Sequence, residues 1–124
     1  MIKQKFVYEA KVLSVHDGDT ISVEIDLGFE LKFTDKIRFF GLNAPELKMR
    51  NENNKLVENP AGNKTLEIVK EFLPIGSTIV VETIKDKKEK YGRYLANIYA
   101  MRDGEQVNVN KFLLEYNLAV PMKY

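Results

Sequence analysis

The sequence predicts a mainly β protein with two to three helices (α+β), arranged as a five-stranded Greek-key barrel. Three observations predict it. Apolar β-formers, mostly in period-two alternation, recur in five stretches, the mark of strands buried on one face. Two other segments carry apolar residues at helical spacing. They follow the third and the fifth strand, which gives the order β-β-β-α-β-β-α.

Each element has its own signal. Residues 6–15, FVYEAKVLSV, make the first strand. Ile21, Val23, Ile25 and Leu27 alternate with Thr20, Ser22, Glu24 and Asp26 in the second. Between them lies His16-Asp17-Gly18-Asp19, and Asp-Gly is a strong hairpin-turn dipeptide. Phe29, Leu31 and Phe33 alternate with polar residues in a third strand, which resumes after a turn at Asp35-Lys36 through Ile37-Arg38-Phe39-Phe40. The polar, Asn-rich residues 47–60 read as a long exposed loop. Pro60 opens a helix with Leu66, Val69 and Leu73 on one stripe, and Pro74 and Gly76 stop it. Residues 78–84 and 93–101 are the fourth and fifth strands, and Val109, Phe112, Leu113 and Tyr116 stripe a second helix. No linker or repeat divides the chain, so residues 1–124 are read as one domain. The order is that of the OB-fold, a barrel that commonly presents a face to oligonucleotides or oligosaccharides.

Composition removes much chemistry. The 124 residues are 44% apolar and 30% charged, as in soluble globular domains. No apolar run reaches the ~18–20 residues of a membrane span, and the first ten residues lack a signal-peptide core. A cytoplasmic monomer is expected, or a secreted one if a leader has been removed. With no Cys, thiolate nucleophiles, disulfides and cysteine metal sites are impossible. The one His, His16, precedes a turn and reads as an exposed strand-end residue. Neither a P-loop nor G-x-G-x-x-G is present. The 19 basic and 18 acidic residues nearly cancel, so nucleic-acid affinity would need a local patch. What remains is hard-metal chemistry on carboxylates, or no chemistry.

Four polar features interrupt the strand pattern. Asp17-Gly18-Asp19-Thr20 places two carboxylates at a hairpin tip, where they could chelate a divalent cation or simply make the turn. Asn43-Ala44-Pro45-Glu46 could hold an amide oxygen, a backbone carbonyl and a carboxylate in one arc, or could only end a strand. Arg38 leaves its strand on the face opposite Ile37 and Phe39, as a solvated residue or as a phosphate clamp. Residues 87–93, Lys87-Lys88-Glu89-Lys90-Tyr91-Gly92-Arg93, are a solvated loop or a stacking and phosphate-binding turn. Together they hold the parts of phosphodiester hydrolysis: a cation site, a carboxylate base and guanidinium groups.

The segments D-G-D-T-I-S-V, R-F-F-G-L-N-A-P-E and K-Y-G-R-Y-L-A-N-I-Y, in this order, resemble the thermonuclease family, typified by staphylococcal nuclease. The similarity runs from about Phe6 to Val120. It implies an OB barrel and a Ca²⁺-dependent nuclease that cuts DNA and RNA with little sequence preference, leaving 3′-phosphates. By the same resemblance, Asp19 and the Ala44 carbonyl bind Ca²⁺, and Asn43 stands where the family commonly has a second Asp ligand. Glu46 orients or deprotonates the attacking water, while Arg38 and Arg93 grip the scissile phosphate. Lys90 and Tyr91 contact the nucleotide's other phosphate, and Tyr124 takes the role of a second stacking tyrosine. Asn43 keeps an oxygen but removes a charge, so Ca²⁺ affinity is expected to fall by about one or two powers of ten. The spacer before Arg38 is longer than usual, which a larger hairpin at 26–36 absorbs. The alternative is a catalytically inactive OB module that binds nucleic acid or protein. The joint presence of Asp19, Arg38, Glu46 and Arg93 favours the enzyme.

Overall fold

The computed structural model describes residues 6–88 and 90–124, and the side chains of all these except residues 85–87. Of the basic run, Glu89 and the Lys87 side chain therefore lie outside the described residues. The elements follow as β1 (Val7–Asp17), β2 (Thr20–Gly28), β3 (Leu31–Phe39), β4 (Leu42–Asn43), β5 (Lys48–Arg50) and β6 (Leu56–Glu58). Next come α1 (Pro60–Phe72), β7 (Thr78–Lys88), β8 (Tyr94–Arg102), β9 (Glu105–Asn108), α2 (Val109–Glu115) and β10 (Val120–Pro121).

Five strands close the barrel. β2 lies between β1 and β3, β1 pairs with β7, and β7 with β8, all antiparallel. A parallel pairing of β3 with β8, Ile37 to Tyr94 through Phe39 to Ala96, joins the ends. This is the OB barrel that the alternation predicts. Period-two patterning aims Val12, Ile21, Val23, Ile37, Phe39, Val81 and Ile98 inward, where each is fully buried. Val69 and Leu73 from α1 and Leu113 from α2 join the same core. Each such side chain contributes about 1.5–3 kcal/mol on burial. Among the described residues, no helix is long and apolar enough to cross a membrane.

Several local expectations are corrected. β3 runs unbroken through Asp35 and Lys36, which pair with Val23 and Ser22, because ladder hydrogen bonds outweigh the turn preference of an Asp-Lys pair. Phe29 and Glu30 are the two turn residues between β2 and β3, both at positive φ (55° and 64°), and Phe29 is 97% exposed rather than in a strand. The loop at 47–60 contains the β5–β6 hairpin. Lys88 ends β7, and β9 pairs along β8. On α1 the buried face runs through Gly62, Thr65, Val69 and Phe72, leaving Leu66 half-exposed. α2 buries Val109, Asn110 and Leu113, and Tyr116 lies past its end, exposed. His16 is exposed near the end of β1, as expected.

Candidate active site

The β1–β2 turn is set by space. Gly18 does not adopt positive φ, so the left-handed freedom of an Asp-Gly turn is not its reason. A β-carbon there would lie 2.6 Å from Thr65 Cγ2 and 2.8 Å from Ala44 Cβ. The turn can press against α1 and the 43–46 segment only because residue 18 has no side chain.

That contact buries Asp19, which is 6% exposed. Its own N–H donates to Asp17 Oδ1 at 3.0 Å. Asp19 Oδ1 accepts from Thr20 Oγ1 at 3.2 Å and pairs with Arg38 Nη1 at 3.1 Å, while Oδ2 accepts from the Ala44 N–H at 2.9 Å. Burial, reinforced by the neighbouring Asp17 carboxyl, pushes the Asp19 pKa up to about 6. The Ala44 N–H and Arg38 pull the other way without cancelling the burial.

Strand register places Arg38. It stands opposite Thr20 on β2 and Leu95 on β8, between two buried neighbours, so its guanidinium emerges on the outer face beside Asp19. Its Nη2 donates to Asn43 Oδ1 and to the Leu42 carbonyl, the latter at 3.4 Å. One guanidinium therefore gathers Asp19 and Asn43. The short β4–β10 pairing, Asn43 with Val120 and Leu42 with Pro121, fixes this segment. Gly41, at φ 83°, turns the chain from β3 into β4. Its N–H donates to the Tyr124 hydroxyl at 2.9 Å, and Tyr124 stacks on Phe40 with ring centroids 5.1 Å apart.

Arg93 approaches from β8's leading end. Its Nη1 donates to Thr20 Oγ1 at 3.3 Å, and its guanidinium lies 5.5 Å from the centre of the Tyr91 ring. Lys90 Nζ lies 5.0 Å from the same centre. Tyr91 is thus an exposed aromatic plate flanked by two cations.

Asp19, Arg38, Asn43, Tyr91, Arg93 and Tyr124 all open into one basin of about 1020 Å³. It is lined by all nine residues given a site role from the sequence: Asp19, Arg38, Asn43, Ala44, Glu46, Lys90, Tyr91, Arg93 and Tyr124. The fold brings the nine together from four separate parts of the chain. Lys48 and Lys123 also line the basin, with no role read from the sequence, and Asp17 and Lys88 line it beside them. Asp17 and Lys88 lie inside motifs already visible in the sequence, whereas Lys48 and Lys123 have no motif to reveal them. Among the described residues, six cationic side chains and three carboxylates face this space, although the chain as a whole is balanced to within one charge. The basin is therefore a local positive patch suited to a polyanion.

The donors that could hold a metal are all oxygen: the Asp19 carboxylate, the Asn43 amide and the Ala44 carbonyl. This is the chemistry of a hard cation, and the first two already converge on a single guanidinium. Among the described residues, no group of three or more His, Cys, Asp or Glu side chains is placed to hold a metal. A cation here would rest on few charges, supplemented by neutral oxygens and water.

Comparison with known proteins matches the sequence to a family. The model of staphylococcal nuclease homologues matches residues 36–124. A protein of Methanocaldococcus jannaschii described as uncharacterised is 35% identical over 125 residues, an alignment covering 90% of this chain and 58% of that protein. Endonuclease YhcR of Bacillus subtilis is 35% identical over 105 residues, covering 82% of this chain and 8% of that protein. The chain thus spans little more than half of the first relative and a small part of the second.

Proposed function

Because the chain belongs to the staphylococcal nuclease homologue family, we propose that it is a Ca²⁺-dependent nuclease acting on DNA and RNA with little sequence preference and leaving 3′-phosphates. One observation carries this reading. A carboxylate and amide pair, a second carboxylate, two guanidinium groups and exposed tyrosines share one positively charged basin.

In this proposal Asp19, Asn43 and the Ala44 carbonyl hold Ca²⁺, which supplies charge neutralisation at the phosphate when bound. Glu46 accepts a proton from the attacking water as the water oxygen bonds to phosphorus. The bond from phosphorus to the 5′-oxygen breaks, and that oxygen leaves as a hydroxyl after taking a proton from solvent. Arg38 and Arg93 hold the non-bridging oxygens and the departing oxygen, where negative charge grows. To do so, Arg38 exchanges its contacts with Asp19 and Asn43 for phosphate. Lys90 and Tyr91 engage a neighbouring phosphate, and Tyr124 offers a ring to a base. The chain acts as a monomeric domain spanning residues 1–124.

The test is incubation of the purified chain with plasmid, single-stranded DNA and RNA, with Ca²⁺ and with Ca²⁺ plus chelator. Cleavage that appears with Ca²⁺ and stops with chelator supports the proposal. Binding without cleavage identifies an inactive OB module instead.

A further inference from the structure

Glu46 is exposed, and its position depends on how its backbone is held. The start of α1 holds it. The Asn59 N–H donates to the Leu47 carbonyl at 2.9 Å, and Asn59 Nδ2 donates to the Glu46 carbonyl at 2.7 Å. The same side chain caps the helix by accepting from the Ala61 N–H at 3.2 Å. One turn on, Gly62 is buried, and a β-carbon added there would lie 2.1 Å from the Glu46 carbonyl oxygen and 2.8 Å from its carbonyl carbon.

Glycine inside a helix costs stability relative to alanine, and Gly62 has no positive φ to justify it. What it provides is space. Restoring an allowed contact would push the Glu46 peptide away by about 1 Å. Backbone atoms fill this space, so no flexible side chain can rotate aside to relieve the clash.

We infer that Gly62 and Asn59 are positioning residues for Glu46, setting the distance of its carboxylate from the scissile phosphate through its main chain. The inference rests on the reading of Glu46 as the residue that takes the water's proton. A catalytic group displaced by about 1 Å typically loses about 10²-fold in rate. The loss falls on kcat, because Lys90, Tyr91 and the arginines that bind the substrate stand on other elements. Asp19 stands on another element, and Asn43 and Ala44, though just ahead of Glu46, are anchored by the β4–β10 pairing and by the Ala44 N–H bond to Asp19, so cation affinity changes far less than kcat.

The experiment compares Gly62→Ala, Asn59→Ser, Glu46→Gln and the double variant Gly62→Ala/Glu46→Gln. Asn59→Ser keeps a capping oxygen and removes only the donor to Glu46, and it carries the test if Gly62→Ala fails to fold. Thermal unfolding, Ca²⁺ affinity by calorimetry, and kcat and KM on a single-stranded oligonucleotide are measured for each. The expected result is a fall of about 10²-fold in kcat for Gly62→Ala and a smaller fall for Asn59→Ser, with KM and Ca²⁺ affinity little changed. In the Glu46→Gln background, Gly62→Ala should cause no further loss. Wild-type kcat in a folded Gly62→Ala variant overturns the inference, as does a full additional loss in the double variant. An unimpaired Glu46→Gln variant overturns instead the reading of Glu46 on which it stands.

Discussion

Substituting Asp19 by Asn should stabilise the cation-free protein at neutral pH and not at acidic pH. Asp19 titrates at about 6 in the fold against an ordinary 3.8. Between those values the folded chain keeps a proton that the unfolded chain has released. The stability this group contributes is therefore complete below pH ~4 and is lost as pH rises through about 6. Two pH units at ~1.4 kcal/mol each put the loss at about 3 kcal/mol by pH 7.5. A neutral amide in place of the carboxyl would escape that loss while keeping an oxygen for the Ala44 N–H or for Arg38. The attraction of Arg38 for the ionised carboxyl is already contained in that raised pKa and is not subtracted again. The net gain is about 3 kcal/mol at pH 7.5, vanishing at pH 4 where the carboxyl is already neutral. Urea unfolding of both proteins in chelator, at intervals from pH 4 to 8, measures it. Parallel pH dependence of the two stabilities would refute the argument, because the buried carboxyl would then not be the titrating group.

Other expectations follow from the same geometry. Asn43→Asp adds a carboxylate beside Asp19 and should tighten Ca²⁺ binding by about ten- to a hundredfold in calorimetry; unchanged or weaker affinity rejects Asn43 as a ligand. Lys48→Ala and Lys123→Ala each remove a basin cation, so each should reduce the salt dependence of oligonucleotide binding by about 0.7 in log–log slope. Slopes equal to wild type would place both lysines off the path of the strand. Ca²⁺ binding should also weaken as pH falls below about 6, since Asp19 must lose its proton to serve as a ligand; calorimetry at pH 5 and 7.5 reads this, and equal affinities would remove Asp19 from the ligand set.

Much of this molecule is legible in its sequence, for identifiable reasons. The five barrel strands are long and mostly alternate, because over most of their length one face is core and the other is solvent, the outer half of β3 excepted. Eight of the nine candidate site residues sit in compact motifs where polar residues interrupt that alternation, and Tyr124 alone stands outside them. What escapes the sequence is what folding alone creates. β4 and β10 are two residues each, held by their pairing rather than by propensity. The β5–β6 hairpin joins Lys-Met-Arg to Leu-Val-Glu, segments with no buried residue to give a period. Gly62 and Thr65 are buried on α1 and invisible to a search for apolar stripes. Gly18 looks like a turn residue, yet it is required by its contact with Thr65, far along the chain. The pairing of Arg38 with Asp19 follows from the register of β2 against β3, which no local pattern specifies.

The central claim is that two guanidinium groups from different strands act on one phosphate. The most direct measurement is single-turnover cleavage of a labelled single-stranded oligonucleotide by wild type and Arg93→Ala at saturating Ca²⁺. Arg93 is half-exposed and reaches Thr20 from the barrel's rim, so the variant should fold as wild type does. The account predicts a rate lower by about 10²–10³-fold; cleavage by Arg93→Ala at the wild-type rate would contradict it.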